Sequence, residues 1–229
     1  MTTPRAPRNS LTRERVIVGA RALADARGLE ALTIRALATH LGVKPMSIYH
    51  YVANKEQLLD ALVDSVFEEF HLPQPDGEWR SELANRSRSV RDVVTQHPWA
   101  LAIMETRTHP GPANLNGHEA VLEVLHRAGF TVEAAAHAYA ILDAYVFGFA
   151  LQDVMLRSIQ LDTSAAELRE EIDLRNHPRL GEMAEFYVHA SSYPLDGTFE
   201  LGLELALDGI GQLRTHIDTE SLPSKADAE

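Results

Sequence analysis

Apolar positions recur at intervals of three and four residues along nearly the whole chain, and no segment alternates apolar with polar as a half-buried strand would. Val16, Ile17, Ala20, Leu23 and Ala24 fall on one face behind Thr12, a residue suited to an N-cap. Gly28 follows where a left-handed residue is wanted, so a first helix is predicted over 13–27. Thr33 starts a short second helix that holds Leu37 and Ala38 and ends near Gly42. Pro45 stands where the first turn of a third helix tolerates a missing N–H, and that helix is predicted to reach about Val52. Asn54 with Gln57 forms a capping-box pattern, and Leu59, Leu62, Val63, Val66 and Phe70 make the apolar stripe of a fourth helix. Pro73, Pro75, Asp76 and Gly77 interrupt the pattern and mark a domain boundary. Beyond it, helices are predicted near 78–96, 98–106, 114–129, 132–157, 165–174, 179–191 and 197–217.

Composition narrows the function classes. The 229 residues contain no cysteine, which excludes disulfide scaffolds, thiol nucleophiles, iron–sulfur clusters and cysteine-ligated zinc. The N-terminus is polar and basic with no apolar run behind it, unlike a secretory signal. The most apolar stretch, Tyr139 to Leu151, contains Asp143 and is shorter than the ~20 residues that span a bilayer. A soluble, cytoplasmic chain without a membrane partner is expected. The net charge of −12 hides two unlike parts: residues 1–55 carry net +6 and the remainder −18. A basic module facing an anionic partner, joined to an acidic body that the partner repels, accounts for that division; a fluctuation of solvated surface charge is the plainer alternative.

The chemistry concentrates in residues 32–55, LTIRALATHLGVKPMSIYHYVANK. A helix-turn-helix needs a small residue where its helices approach and a glycine able to take positive φ in the turn; Ala38 and Gly42 supply both. Leu37, Leu41, Val43 and Ile48 can lock the pair, leaving Pro45, Met46, Ser47, Tyr49 and His50 to project. Hydroxyls, an imidazole and a methyl-rich side chain on one face suit the major groove, where hydrogen bonds and thymine methyl contacts read base edges. An ordinary helical hairpin would also satisfy the Ala38–Gly42 pair; the basic surroundings and the Pro-started exposed helix favour DNA.

The segment LTIRALATHLGVKPMSIYHYVANKEQLLDAL resembles the DNA-binding signature of the tetracycline repressor (TetR) family of bacterial regulators, closely over about residues 11–65. More weakly, the later motifs WRSEL, TR followed by Pro, AGFTVEAA and FELGLELALDGI recur in the family's order. The resemblance implies an all-α chain: a flexible basic N-terminus (1–10), a helix-turn-helix DNA-binding domain with a linking fourth helix (11–71), a larger helical ligand-binding and dimerisation domain (72–217) and a disordered tail (218–229). It implies a homodimeric transcriptional regulator, in most such proteins a repressor, that releases a palindromic double-stranded DNA operator when a small-molecule effector binds. Tyr49 and Lys55 match positions that contact phosphates; Arg35, Ser47 and His50 match positions that approach bases or backbone. Lys44, Pro45 and Met46 complete the candidate DNA face. A packing role with a wet hydroxyl is the alternative for Tyr49.

Over 132–157 the helix is apolar almost all round between Ala138 and Leu151, a pattern that demands burial on both sides. With the last helix it matches the family's four-helix dimer interface, for which Leu203, Ala206, Ile210 and Leu213 are the candidate residues; periodicity alone leaves a monomer core equally open. His71 matches a drug-contacting histidine, although a polar helix end beside Glu68 and Glu69 explains it as well. Where the family's tetracycline sensors hold a magnesium chelate with a histidine and a glutamate, this chain has Ile103 and Gln152, neither of which replaces that chemistry. No metal and no other cofactor is therefore expected. The anticipated ligand is mostly apolar or aromatic, lined by Val90, Leu101, Ile103, Leu142, Tyr145 and Phe149 and oriented by His71, Arg86 or Gln152. The eleven histidines lack metal-ligand spacing, and no G-x-S-x-G, phosphate-cradling glycine loop or H-E-x-x-H is present, so an enzyme is not expected. A helical enzyme or a protein-binding adaptor with an acidic body are the alternatives, and salt-sensitive binding to a particular duplex separates them from a regulator.

Overall fold

Three side-chain caps define the beginning of the chain's fold in the computed structural model, which describes residues 11–104, 106–158, 174, 176–189 and 196–216. Thr12 accepts from the Arg15 N–H at 3.1 Å and opens α1 (Arg13–Arg27). Thr33 accepts from the Ala36 N–H and opens α2 (Ile34–Leu41). Asn54 accepts from the Gln57 N–H at 2.8 Å and opens α4 (Lys55–Phe67), while the Gln57 side chain reaches back to the Ala53 N–H at 2.9 Å. Between them lies α3 (Pro45–Ile48), with Pro45 in its first turn. The later helices are α5 (Trp79–Gln96), α6 (Pro98–Met104), α7 (Pro112–Arg127), α8 (Val132–Ser158), α9 (Pro178–His189) and α10 (Asp196–His216). The fold is all-α, with no strand among the described residues.

Two expected lengths are corrected. The third helix ends at Ile48 rather than Val52, because the Tyr51 N–H closes a tight three-residue turn on the Ile48 carbonyl as the chain heads for the extended Asn54. The fourth ends at Phe67; Glu69 and Phe70 bond to Val66 and Phe67, three residues back, which tightens the last turn while keeping Phe70 buried. A 3₁₀ turn at Leu29–Ala31, invisible to periodicity, joins α1 to α2. The expected helix at 165–174, the basic N-terminus (1–10) and the tail (218–229) lie outside the described residues, apart from Leu174.

The chain divides into two compact units. The first comprises residues up to Phe70 together with Gln96–Glu119; the second, His71–Thr95 and Ala120 onward. α6 and the start of α7 group with the N-terminal helices. Their attachment is polar as well as apolar: Asp25 Oδ1 on α1 meets His97 Nδ1 at 2.7 Å and accepts from the Trp99 indole N–H at 2.6 Å. Within the same unit Val16, Leu23, Leu37, Ile48, Leu62, Val66, Trp99 and Ala100 are buried. Gly19 lets α2 approach α1, since a Cβ there would press on Leu41.

In the second unit α8 packs along α10, and Leu83, Leu125, Phe130, Ala138, Leu142, Phe149, Phe199, Leu203, Leu207 and Ile210 form one core. Within α8, Val132–Met155 is long and apolar enough to cross a membrane, which corrects the sequence argument from the shorter Tyr139–Leu151 stretch. Here its Ala134, Ala138, Leu142, Val146, Phe149 and Ala150 are buried, the disposition of a core helix.

The turn after α2 generates a prediction. Gly42 is left-handed (φ 68°, ψ 32°), its N–H bonding to Thr39 and that of Val43 to Ala38, a Schellman closure. Nothing lies within 4 Å of a Cβ added there, so strain alone decides the cost. Gly42→Ala should destabilise the first unit by about 1 kcal/mol, read by denaturant unfolding, with Gly42→Asn recovering part of the loss.

Candidate nucleic-acid interface

The reading element is assembled by burying one side of a helix too short to stand alone. Ile48 is fully buried and Val52 nearly so, while Lys44, Pro45, Met46, Tyr49 and His50 are exposed and Ser47 is half-buried. Met46 is 70% exposed, so its side chain is open to contact from outside. Lys55, the first residue of α4, is exposed beside that helix's free N–H groups, where a phosphate is favoured twice over, by charge and by dipole. Arg35 is exposed near the start of α2, and Thr39 Oγ1 donates back to its carbonyl at 3.0 Å. Tyr51, which sequence reasoning did not single out, donates its hydroxyl to the Leu11 carbonyl at 2.5 Å and ties the chain before α1 to the turn after α3. The eight candidate DNA residues thus all belong to the first unit, on α2, α3, the adjoining turns and the start of α4.

The candidate ligand residues are distributed differently. Leu101 and Ile103 lie on α6 in the first unit; His71, Arg86, Val90, Leu142, Tyr145, Phe149 and Gln152 belong to the second. His71 and Arg86 do come together: Arg86 Nη1 donates to the His71 carbonyl at 2.9 Å, and His71 Nε2 meets Glu82 Oε2 at 2.8 Å. The His71 ring therefore pairs with Glu82, not with the neighbouring Glu68 or Glu69. Glu82 also accepts from the Gln74 N–H, and these bonds hold its carboxyl below the usual carboxylate range. Burial lowers the Arg86 guanidinium from its ordinary value, opposed by Tyr139 and Asp143.

Tyr145 and Phe149 are engaged in packing. Tyr145 stacks on Phe199 and donates to its carbonyl at 2.8 Å; Phe149 meets Phe199 edge-on; the Arg91 guanidinium lies over Phe149 and Phe199 at 5.4 and 4.8 Å. Gly202 makes the Tyr145 position possible, because a Cβ would overlap the hydroxyl. Burial raises the Tyr145 phenol. Gln152 is exposed, whereas the adjacent Asp153 is buried and pairs with Arg91 at 3.3 Å. Sequence reasoning singled out neither Asp153 nor Glu82; the acid noted within the apolar run was Asp143.

The candidate interface stripe lies against the chain's own core. Leu203 and Ile210 are 0% exposed within a single chain, and Ala206 and Leu213 are half-buried against the same core, so this face is already covered. The large exposed apolar residues of α10 are Leu201 and Leu205, each 63% exposed on another face.

An exposed, Pro-started helix on a helix-turn-helix scaffold, flanked by phosphate-seeking cations, defines a DNA-reading protein. Comparison with known proteins agrees. Residues 16–62 match the family described as bacterial regulatory proteins, tetR family, and residues 72–214 match the tetracyclin repressor-like C-terminal domain. The chain belongs to the TetR family and is a ligand-responsive, DNA-binding transcriptional repressor by class. It is similar to the HTH-type transcriptional repressor DrrR1 of Streptomyces coeruleorubidus, 30% identical over 96% of this chain and 84% of that one. It is also similar to the class A tetracycline repressor from transposon 1721 in Escherichia coli, 29% identical over 93% and 96% of the two chains. Among solved structures, that of the Streptomyces coelicolor TetR family protein ActR in complex with actinorhodin superposes with a TM-score of 0.73 at 30% identity, covering 89% and 98%. These relatives are regulators rather than enzymes.

Positioning and reading separate by mutation. Lys55→Ala should weaken binding to every duplex and reduce the slope of log affinity against log salt by about 1. His50→Ala or Ser47→Ala should leave the slope alone and change preference at particular base pairs by roughly 1–3 kcal/mol. Equilibrium titration at several salt concentrations checks both.

Proposed function

We propose that the protein is a cytoplasmic homodimeric repressor that occupies a near-palindromic operator and leaves it when a mostly apolar or aromatic small molecule binds its second unit. The observation that carries the reading is the exposed face of α3, with Met46, Tyr49 and His50 presented between Lys44 and Lys55 on a net-positive segment of an acidic chain. Two such faces related by a two-fold axis would read half-sites about 34 Å or slightly more apart, in successive major grooves. The acidic remainder repels DNA and so orients the encounter.

The dimer surface proposed is the exposed face of α8 and α10. Leu201, Leu205 and Gly209 follow one another by fours on α10; Ala140, Ile141, Ala144, Gly148 and Leu151 form a matching stripe on α8, and space is open beyond both glycines. For the ligand, Val90, Leu142, Tyr145 and Phe149 of the second unit supply apolar and aromatic surface, with His71, Arg86 and Gln152 as polar groups. The complex of ActR with actinorhodin supports a small-molecule effector for a chain of this kind.

Selection from random duplexes tests the operator, and thermal stabilisation by a panel of aromatic small molecules, repeated with the selected duplex, tests the effector. Symmetric duplexes should be enriched, and a stabilising compound should displace them; tetracycline with magnesium should do neither. Recovery of asymmetric sites alone would overturn the dimeric reading. The interface is tested separately: Leu205→Glu should yield a folded monomer by light scattering and circular dichroism, whereas Leu203→Ala should cost about 2–5 kcal/mol of stability without changing the mass.

A further inference from the structure

Residues 1–13 contain Arg5, Arg8 and Arg13 and no acid, and so supply half of the net +6 carried by residues 1–55. The candidate DNA face uses none of these arginines. The point at which their segment joins the described fold is held twice within the first unit. The Tyr51 hydroxyl donates to the Leu11 carbonyl at 2.5 Å, and Arg15 Nη2 donates to the Leu41 carbonyl at 3.5 Å. Tyr51 lies in the turn after α3, directly behind the exposed Tyr49 and His50, and Leu41 ends α2. The start of α1 is therefore tied to both helices of the helix-turn-helix, beside residues of the candidate reading face.

The helix does not need the Tyr51 bond in order to begin. Thr12 caps α1 with its side chain, and the Thr12 carbonyl already accepts from the Val16 N–H. The Leu11 carbonyl lies one residue before that cap, outside the helix, so the Tyr51 bond fixes where the preceding segment leaves the fold. Reach then decides what that segment can touch. At no more than about 3.6 Å per residue, Arg8 stands within roughly 11 Å of Leu11 along the chain and Arg5 within roughly 22 Å. Half a turn of DNA, about 17 Å, separates a major groove from the neighbouring minor groove. Arg8 and Arg5 bracket that distance.

We infer that residues 1–10 are a second DNA-reading arm whose Arg5 and Arg8 enter the minor groove beside the half-site read by α3, and that Tyr51 sets the arm's point of departure. The chemistry selects the flank. A·T-rich duplex narrows the minor groove and deepens its negative potential, which draws an arginine in, whereas each G·C pair puts the guanine amino group there. The arm thus adds a preference for A·T pairs at positions that α3 does not touch. Tyr51 is a positioning residue, acting through the Leu11 carbonyl. The inference rests on the operator reading above and extends it from the major groove to the adjoining minor groove.

The test titrates the full-length protein against a selected half-site carrying short blocks of A·T or of G·C pairs on either side, with the double variant Arg5→Ala, Arg8→Ala and with Tyr51→Phe. The wild-type chain should favour the A·T flank by about tenfold, the scale of one base-pair contact, and the double variant by about twofold or less. Tyr51→Phe keeps the ring and removes the donor; it should lose most of the flank preference while base preference inside the half-site stays as it was. An arginine variant that weakens equally on both flanks would put the arm on phosphates alone and overturn the minor-groove assignment, as would one that binds like wild type. For the anchor, full flank preference in Tyr51→Phe, or a chain that circular dichroism shows to be unfolded, would overturn the positioning role. A selected core with no flank preference in the wild type defeats this inference and leaves the operator reading standing; selection of no core defeats both.

Discussion

The four-residue helix α3 cannot hold itself together, and the burial of Ile48 is what gives it a shape. An isolated turn of helix forms too few hydrogen bonds to offset the ordering of its backbone, so its geometry is borrowed from the packing beneath it. Ile48 is completely buried and Val52 nearly so, Ala38 is small where α2 meets α3, and the left-handed Gly42 turns the chain between them. With that inner side anchored, Met46, Tyr49 and His50 have nowhere to go but outward. The candidate DNA-reading face is the exposed remainder of a packing constraint.

The same logic extends to α6, which belongs by sequence to the later half of the chain and by packing to the first unit. Asp25 ties it to α1 through the His97 ring and the Trp99 indole, and His97 Nε2 faces Glu69 at 3.5 Å while Glu69 pairs with Arg21. A half-exposed carboxylate satisfied by two aromatic N–H groups is geometrically exacting, because both rings must be held by their own packing. Within the second unit the long α8 is treated similarly. Its aromatic residues lean on Phe199, and its one fully buried acid, Asp153, is paired with Arg91, so that removing either partner would leave a buried charge uncompensated.

Exposed ion pairs along α5 and α10, such as Arg88 with Glu200 and Arg80 with Glu204, are numerous but solvent-screened, and they contribute little each. Their bonds raise the arginines and lower Glu200, as expected for charges that prefer company. The core of Leu203, Leu207, Ile210 and Phe199 against α8 carries the second unit.

Local chemistry was legible in the sequence wherever a feature is decided within a few residues. Caps at Thr12, Thr33 and Asn54, the left-handed Gly42 and the proline start of α3 depend on backbone sterics and near-neighbour hydrogen bonds, so helix positions and the candidate DNA face followed from residue types and spacing. Features decided between distant residues were not legible. A stripe of leucines at helical spacing has the same period whether it faces the chain's own core or a second copy, and only the packing assigned Leu203 and Ile210 to the core and left Leu201 and Leu205 outside. His71 carries no mark of its partner Glu82, nor Tyr51 of the Leu11 carbonyl it meets, because such pairings depend on where the chain returns in space. The sequence by itself determined where the described helices run and which exposed residues are candidates for reading DNA; the tertiary structure decided which apolar and charged groups meet, since hydrophobic burial has a period but no address.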